Sequence, residues 1–127
     1  MFEIAICDDS IIDSAEIEDM LQYIAKREDI KIETDIFYDG NTLVDYIYNG
    51  KRYDIIYLDI EMHEKNGVDA AKEIRNIDTK ALIIYVTNYE SFAKEAFEVS
   101  AFRFLTKPID GDKFEQYFID AQNEITN

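Results

Sequence analysis

Short, nearly continuous apolar runs alternate along this chain with segments whose apolar residues recur at helical spacing. That alternation marks repeated strand–helix units feeding a parallel sheet covered on both faces. Five such units can be traced. Phe2 to Cys7 is the first strand; Ser10 is placed to cap the helix after it, with Asp13 completing an acidic variant of the capping box and Ile17, Leu21 and Ile24 forming the buried stripe. Lys31 to Phe37 alternates apolar and polar residues, as a strand at a sheet edge does, and Asp39-Gly40 turns the chain into a helix carrying Leu43, Val44 and Ile47. Tyr53 to Leu58 is the most strand-like run and ends at Asp59. A polar loop then closes with Asn66-Gly67, and Val68, Ala71, Ile74 and Ile77 mark a third helix. Ala81 to Val86 is a fourth strand that stops at Thr87. A short helix with Phe92, Ala96 and Val99 follows, then a fifth strand from Ala101 to Thr106 that Lys107-Pro108 terminates. Phe114, Tyr117, Phe118, Ala121 and Ile125 give the last helix a clean amphipathic stripe.

A length of 127 residues suits one domain, taken as 1–127, with room for a core that needs no disulfide. No apolar run reaches membrane-spanning length and the start lacks a basic region followed by an apolar stretch, so the expectation is a soluble, cytoplasmic domain with no membrane contact. Cys7 is the only cysteine and lies in an apolar run, which reads as a plain buried thiol. Against 13 basic residues stand 28 acidic ones, a formal net charge of −15 that repels a phosphate backbone and argues against direct nucleic acid binding. Much of that charge is ordinary helix and turn surface, such as Glu16, Glu18, Asp110 and Asp112, so acidity alone locates no site.

The strand ends are more telling. Open parallel sheets bind ligands beyond the carboxyl ends of their strands. Here the residues just past strands one, three, four and five are Asp8 and Asp9, Asp59, Thr87 and Lys107. Two like charges about 4 Å apart cost roughly 4 kcal/mol at an effective dielectric near 20, and one lysine does not offset three gathered carboxylates. Either some carboxyls stay protonated or a hard divalent cation joins them, and the metal is the simpler answer. With a cation present a carboxylate can attack a phosphoryl donor while Lys107 neutralises oxygens and Thr87 donates a hydrogen bond. Asp59, ending the central apolar run before a flexible loop, is the best-placed nucleophile; Asp8 and Asp9 suit metal coordination. Singly, each residue has a plainer reading: acids favouring a helix dipole, a turn aspartate, a helix-capping threonine, a solvated lysine. Their value is collective.

The ordered set Asp8-Asp9, Asp59-Ile60-Glu61-Met62 with Gly67 eight positions after the aspartate, Thr87, and Lys107-Pro108 resembles the receiver domain of two-component response regulators over essentially the whole chain. The resemblance implies an α/β fold, a flavodoxin-like (βα)5 three-layer sandwich with a five-stranded parallel sheet in order 2-1-3-4-5. It implies a phosphoacceptor signalling domain that catalyses only its own phosphoryl transfer and dephosphorylation, with Asp59 phosphorylated by a sensor histidine kinase. Mg²⁺ or Mn²⁺ would be held by Asp8, Asp9, Asp59 and the backbone carbonyl of Glu61. Thr87 and Phe104 would move together as a switch, and the Lys107–Pro108 peptide bond would be cis.

Output is expected at the fourth helix, fifth strand and fifth helix, through a protein interaction or a homodimer. The stretch from Thr87 to Pro108 is similar to receivers of LytTR-type transcriptional regulators, which implies control of transcription through a DNA-binding domain absent from this sequence, or else a stand-alone receiver. Three departures stand out: His63 where the family usually carries proline, Asn88 where a small residue is more usual, and Glu61 and Tyr89 flanking the phosphoryl entrance. A pseudo-receiver that only binds protein is opposed by the intact Asp59, Thr87 and Lys107. A small aspartyl-phosphate phosphohydrolase would find an acid in Glu61 but lacks a substrate-covering cap. Three acids at the sheet edge argue against a flavin phosphate, and no glycine-rich P-loop is present.

Overall fold

The computed structural model describes residues 1–62, 65–88 and 93–126. The chain runs β1 (Phe2–Cys7), α1 (Ile11–Arg27), β2 (Ile32–Phe37), α2 (Gly40–Tyr48), β3 (Ile55–Leu58), α3 (Gly67–Ile77), β4 (Leu82–Thr87), α4 (Ala93–Glu98), β5 (Arg103–Thr106) and α5 (Gly111–Thr126). All strand pairs are parallel, in the order β2-β1-β3-β4-β5, so the polar run read as an edge strand is one.

Strand side chains alternate between the two faces of the sheet, and this divides the core. Ala5, Cys7, Ile56, Leu58, Ile83 and Tyr85 pack under Leu43, Ile47, Val68, Ile74, Ala96 and Val99, which places α2, α3 and α4 on one side. Ile4, Ile6, Ile55, Tyr57, Ile84 and Leu105 pack against Ile17, Leu21, Ile24, Phe114 and Phe118, which places α1 and α5 on the other. Burial of side chains this large contributes roughly 1.5–3 kcal/mol each, so the three layers are the direct outcome of the apolar pattern.

Capping residues set where the helices begin. Ser10, Asp39 and Asn66 accept the N–H of Asp13, Thr42 and Asp69 and start α1, α2 and α3. Asp110 does the same for α5 by accepting the N–H of Asp112 and Lys113. The reciprocal half of the expected capping box does not form: the Ser10 N–H goes to Asp8 Oδ1 at 2.9 Å, and the Asp13 carboxylate turns to Lys107 instead. Several strands start later than the apolar runs indicate. Asp54 Oδ2 takes the N–H of Glu3, so β3 begins at Ile55 and not at Tyr53. Asp78 Oδ1 takes the N–H of Lys80 and Ala81 in a turn, so β4 begins at Leu82 and extends through Thr87. The fifth strand likewise opens at Arg103, later than Ala101.

Candidate functional site

Parallel register carries the chemistry to one edge. Cys7 pairs with Leu58, Leu58 with Tyr85, and Thr87 with Thr106. The ladder then continues beyond the strands: Asp59 N–H donates to Cys7 O at 2.9 Å, and Lys107 N–H to Thr87 O at 2.9 Å. Asp8, Asp59, Thr87 and Lys107 therefore emerge side by side. Asp8, Asp59 and Lys107 share a cavity of about 330 Å³ lined also by Asp9, Ser10, Asp13, Glu61, Met62 and Asn88, while Thr87 is fully buried beside it. Volume on that scale admits a phosphoryl group with a few waters.

Lys107 is the hub. Its ammonium donates to Asp8 Oδ2 at 2.9 Å, Asp13 Oδ2 at 2.8 Å and Asp59 Oδ2 at 3.2 Å, and its side chain is only 11% exposed. Burial works against its charge, but the bonds to Asp13 and Asp8 and the field of Asp59 outweigh that and raise its pKa, so it stays protonated. Asp59 feels the converse pull. Burial lifts its carboxyl above the ordinary range, Lys107 draws it down, Asp8 pushes it up again, and the net shift is upward. Thr87 Oγ1 is fully buried and, among the described residues, makes no hydrogen bond of ordinary length, yet it lies near enough to Asp59 to favour the ionised form.

Three carboxylates on one ammonium leave two formal negative charges, to which Asp9 and Glu61 add along the same cavity, and there Asp8 is 1% exposed and Asp59 8% exposed. Asp8, Asp9 and Asp59 each present one oxygen, all within 4.8 Å of one another. Mg²⁺ takes oxygens at about 2.0–2.1 Å in octahedral array, which sets ligand oxygens roughly 3 to 4 Å apart. Donor chemistry and spacing both fit a hard divalent cation. Glu61 lies over the same cavity, its N–H donating to Asp59 Oδ1 at 3.3 Å.

The cavity is lined by Asp8, Asp9, Asp59, Glu61 and Lys107, with Thr87 buried close to Asp59, all singled out from sequence. Phe104 is set back from it, partly buried on the α4 side of the sheet with its ring centroid 6.2 Å from that of Tyr85, edge to face. The Lys107–Pro108 bond is cis. Cys7 is buried, and burial with the surrounding aspartates pushes its thiol pKa up, as an inert thiol requires. The expectations for His63, Tyr89 and Phe92 fall outside the described residues. Sequence reasoning missed Asp13 as a member of the site; its signal was one helical turn of spacing beyond Asp9. It also underrated Gly67, whose N–H donates to Ile60 O at 2.7 Å. A Cβ at Gly67 would stand 2.8 Å from Ile60 Cα and closer still to the Asp59 carbonyl, so only glycine lets α3 start directly behind the Asp59 loop.

Comparison with known proteins agrees with this geometry. The response regulator receiver domain family matches residues 4–118. The sensory transduction protein LytT of Bacillus subtilis (strain 168) is 30% identical over 116 residues, covering 91% of this chain and 46% of LytT. LytT of Oceanobacillus iheyensis is 35% identical over 97 residues, covering 75% of this chain and 39% of the relative. The chain thus spans less than half the length of these curated relatives. The crystal structure of the response regulatory domain of protein mrkE from Klebsiella pneumoniae superposes with a TM-score of 0.86 over 96% of each chain at 23% identity, which shows a common fold. With an acidic pocket at its strand ends and a family match that runs nearly from one terminus to the other, this chain belongs to the response regulator receiver domains.

Proposed function

We propose that Asp59 accepts a phosphoryl group from a sensor histidine kinase, in a reaction that needs Mg²⁺ held by Asp8, Asp9, Asp59 and the Glu61 carbonyl. The observation that carries this reading is the meeting of Asp59 with Lys107 and with the oxygens of Asp8 and Asp9 at one sheet edge. An ionised Asp59 oxygen attacks phosphorus; the new O–P bond forms as the donor's P–N bond breaks, and the electron pair returns to the imidazole nitrogen. When bound, the cation neutralises charge on the transferring oxygens. Lys107 stands ready to share that task, its ammonium being already inside the cavity. The buried Thr87 hydroxyl, close to Asp59, has a proton to donate to a phosphoryl oxygen.

A phosphoryl group adds about two negative charges beside β4 and β5. Thr87 closes β4 and Phe104 lies in β5 against Tyr85, so the change is passed to the face formed by α4, β5 and α5. That face controls a protein interaction or a homodimer, and through a DNA-binding domain it controls transcription, in the cytoplasm where the kinase acts. Among the described residues no helix is long and apolar enough to cross a membrane. Intact-mass spectrometry with acetyl phosphate and Mg²⁺ tests the proposal. A gain of one phosphoryl unit that vanishes on chelation and in Asp59→Ala is expected; full labelling of Asp59→Ala would overturn it.

A further inference from the structure

Lys107 has three N–H donors, and each is taken by a different carboxylate. Two of these, Asp8 and Asp59, also belong to the oxygen cluster that fits a divalent cation; the third, Asp13, does not. Asp13 is set apart structurally as well. It sits in the first turn of α1, its own N–H donating to Ser10 Oγ at 3.1 Å, and its side chain is 40% exposed where Asp8 is 1% exposed. The helix start therefore aims at the buried ammonium a carboxylate that stands outside the cluster of Asp8, Asp9 and Asp59.

An ammonium and a divalent cation compete for the carboxylates of Asp8 and Asp59. Whatever draws the ammonium toward α1 leaves those carboxylates freer to take the cation. We propose that Asp13 is a positioning residue for Lys107, holding the ammonium toward α1 and so setting how tightly the acidic pocket takes a divalent cation. This rests on the metal reading of the pocket given above. An exposed ion pair would contribute little, but here one partner is buried and shared, so its displacement is felt by Asp8 and Asp59 directly.

Calorimetric titration of Mg²⁺ into the full chain, metal-free at the outset, tests this in a double-mutant cycle of Asp13→Asn and Lys107→Ala. Asp13→Asn is expected to weaken Mg²⁺ binding about 5-fold when Lys107 is present and less than about 2-fold in the Lys107→Ala background. Asp13→Glu should recover most of the lost affinity, which a fault in folding would not. Equal weakening in both backgrounds would mean simple loss of a nearby charge, and it would overturn the proposal, as would no weakening with Lys107 present. If the unaltered chain takes up no Mg²⁺, the metal reading falls and carries this inference with it; if it binds and Asp13→Asn binds equally well, only the role of Asp13 falls.

Discussion

Lys107 and Arg75 are both cations that join distant parts of the chain, but their partners are of opposite kinds. Lys107 meets three carboxylates. Arg75, on α3, donates among the described residues to backbone carbonyls: Val99 O at 2.8 Å, Ala81 O at 2.7 Å, Ser100 O at 3.2 Å and Asp78 O at 3.4 Å. Its guanidinium thereby caps the C-terminus of α4 and ties it to the start of β4. Burial lowers the Arg75 pKa and Asp78 opposes the shift, yet an arginine stays charged throughout. A cation among carbonyls is architecture, because nothing there gains by exchanging it. A cation among excess carboxylates is one of several that could occupy the place, and that exchangeability is what the proposed metal-dependent phosphoryl transfer needs.

The contrast can be broken most forcefully at Arg75. Arg75→Met leaves the carbonyls of Ala81 and Val99 without their donor and should cost about 3 kcal/mol in urea unfolding. Hydrogen exchange in α4 should rise with it, while Mg²⁺ affinity stays within about 2-fold. A large change in Mg²⁺ affinity would show that the two cations are coupled.

Neutralising an acid in the pocket should act the other way. The raised Asp59 pKa means that the folded chain binds its proton more readily than the unfolded chain does, so the ionised group opposes folding at neutral pH and the penalty is relieved as pH falls through its folded value. Asp59→Asn should therefore be more stable than the unaltered chain at neutral pH, by on the order of 1 kcal/mol. That advantage should shrink on acidification, as thermal melts across pH would read; an advantage that grew instead would contradict the electrostatic account. The smallest effect is expected at Ser100, which holds φ at 55° beside its bond to Arg75. Ser100→Gly should stabilise by about 0.5 kcal/mol, visible as a slight rise in unfolding midpoint, since glycine takes that conformation without a Cβ.

Legibility differed sharply among these residues. Asp59 was readable because an apolar run ended on it, and Lys107 because proline closed the fifth strand there. Asp13 was read as half of a capping box, a local pattern that is only half formed; its true partner lies 94 positions away. Tyr53 opens the most strand-like run of the sequence, but its hydroxyl donates to Asp35 at 2.6 Å from just outside β3. Arg75 carried no signal at all, because its acceptors are backbone oxygens and any residue type supplies those.

What the residues determined unaided was the alternation of strand and helix, the two apolar faces and the set of groups at the strand ends. These follow from periodic burial, which each segment expresses locally. Tertiary structure decided which carboxylates share the Lys107 ammonium, which oxygens lie close enough for one cation, and which carbonyls Arg75 holds. Those depend on strand register and helix entry, and a shift of a few ångströms separates a shared charge from a solvated one.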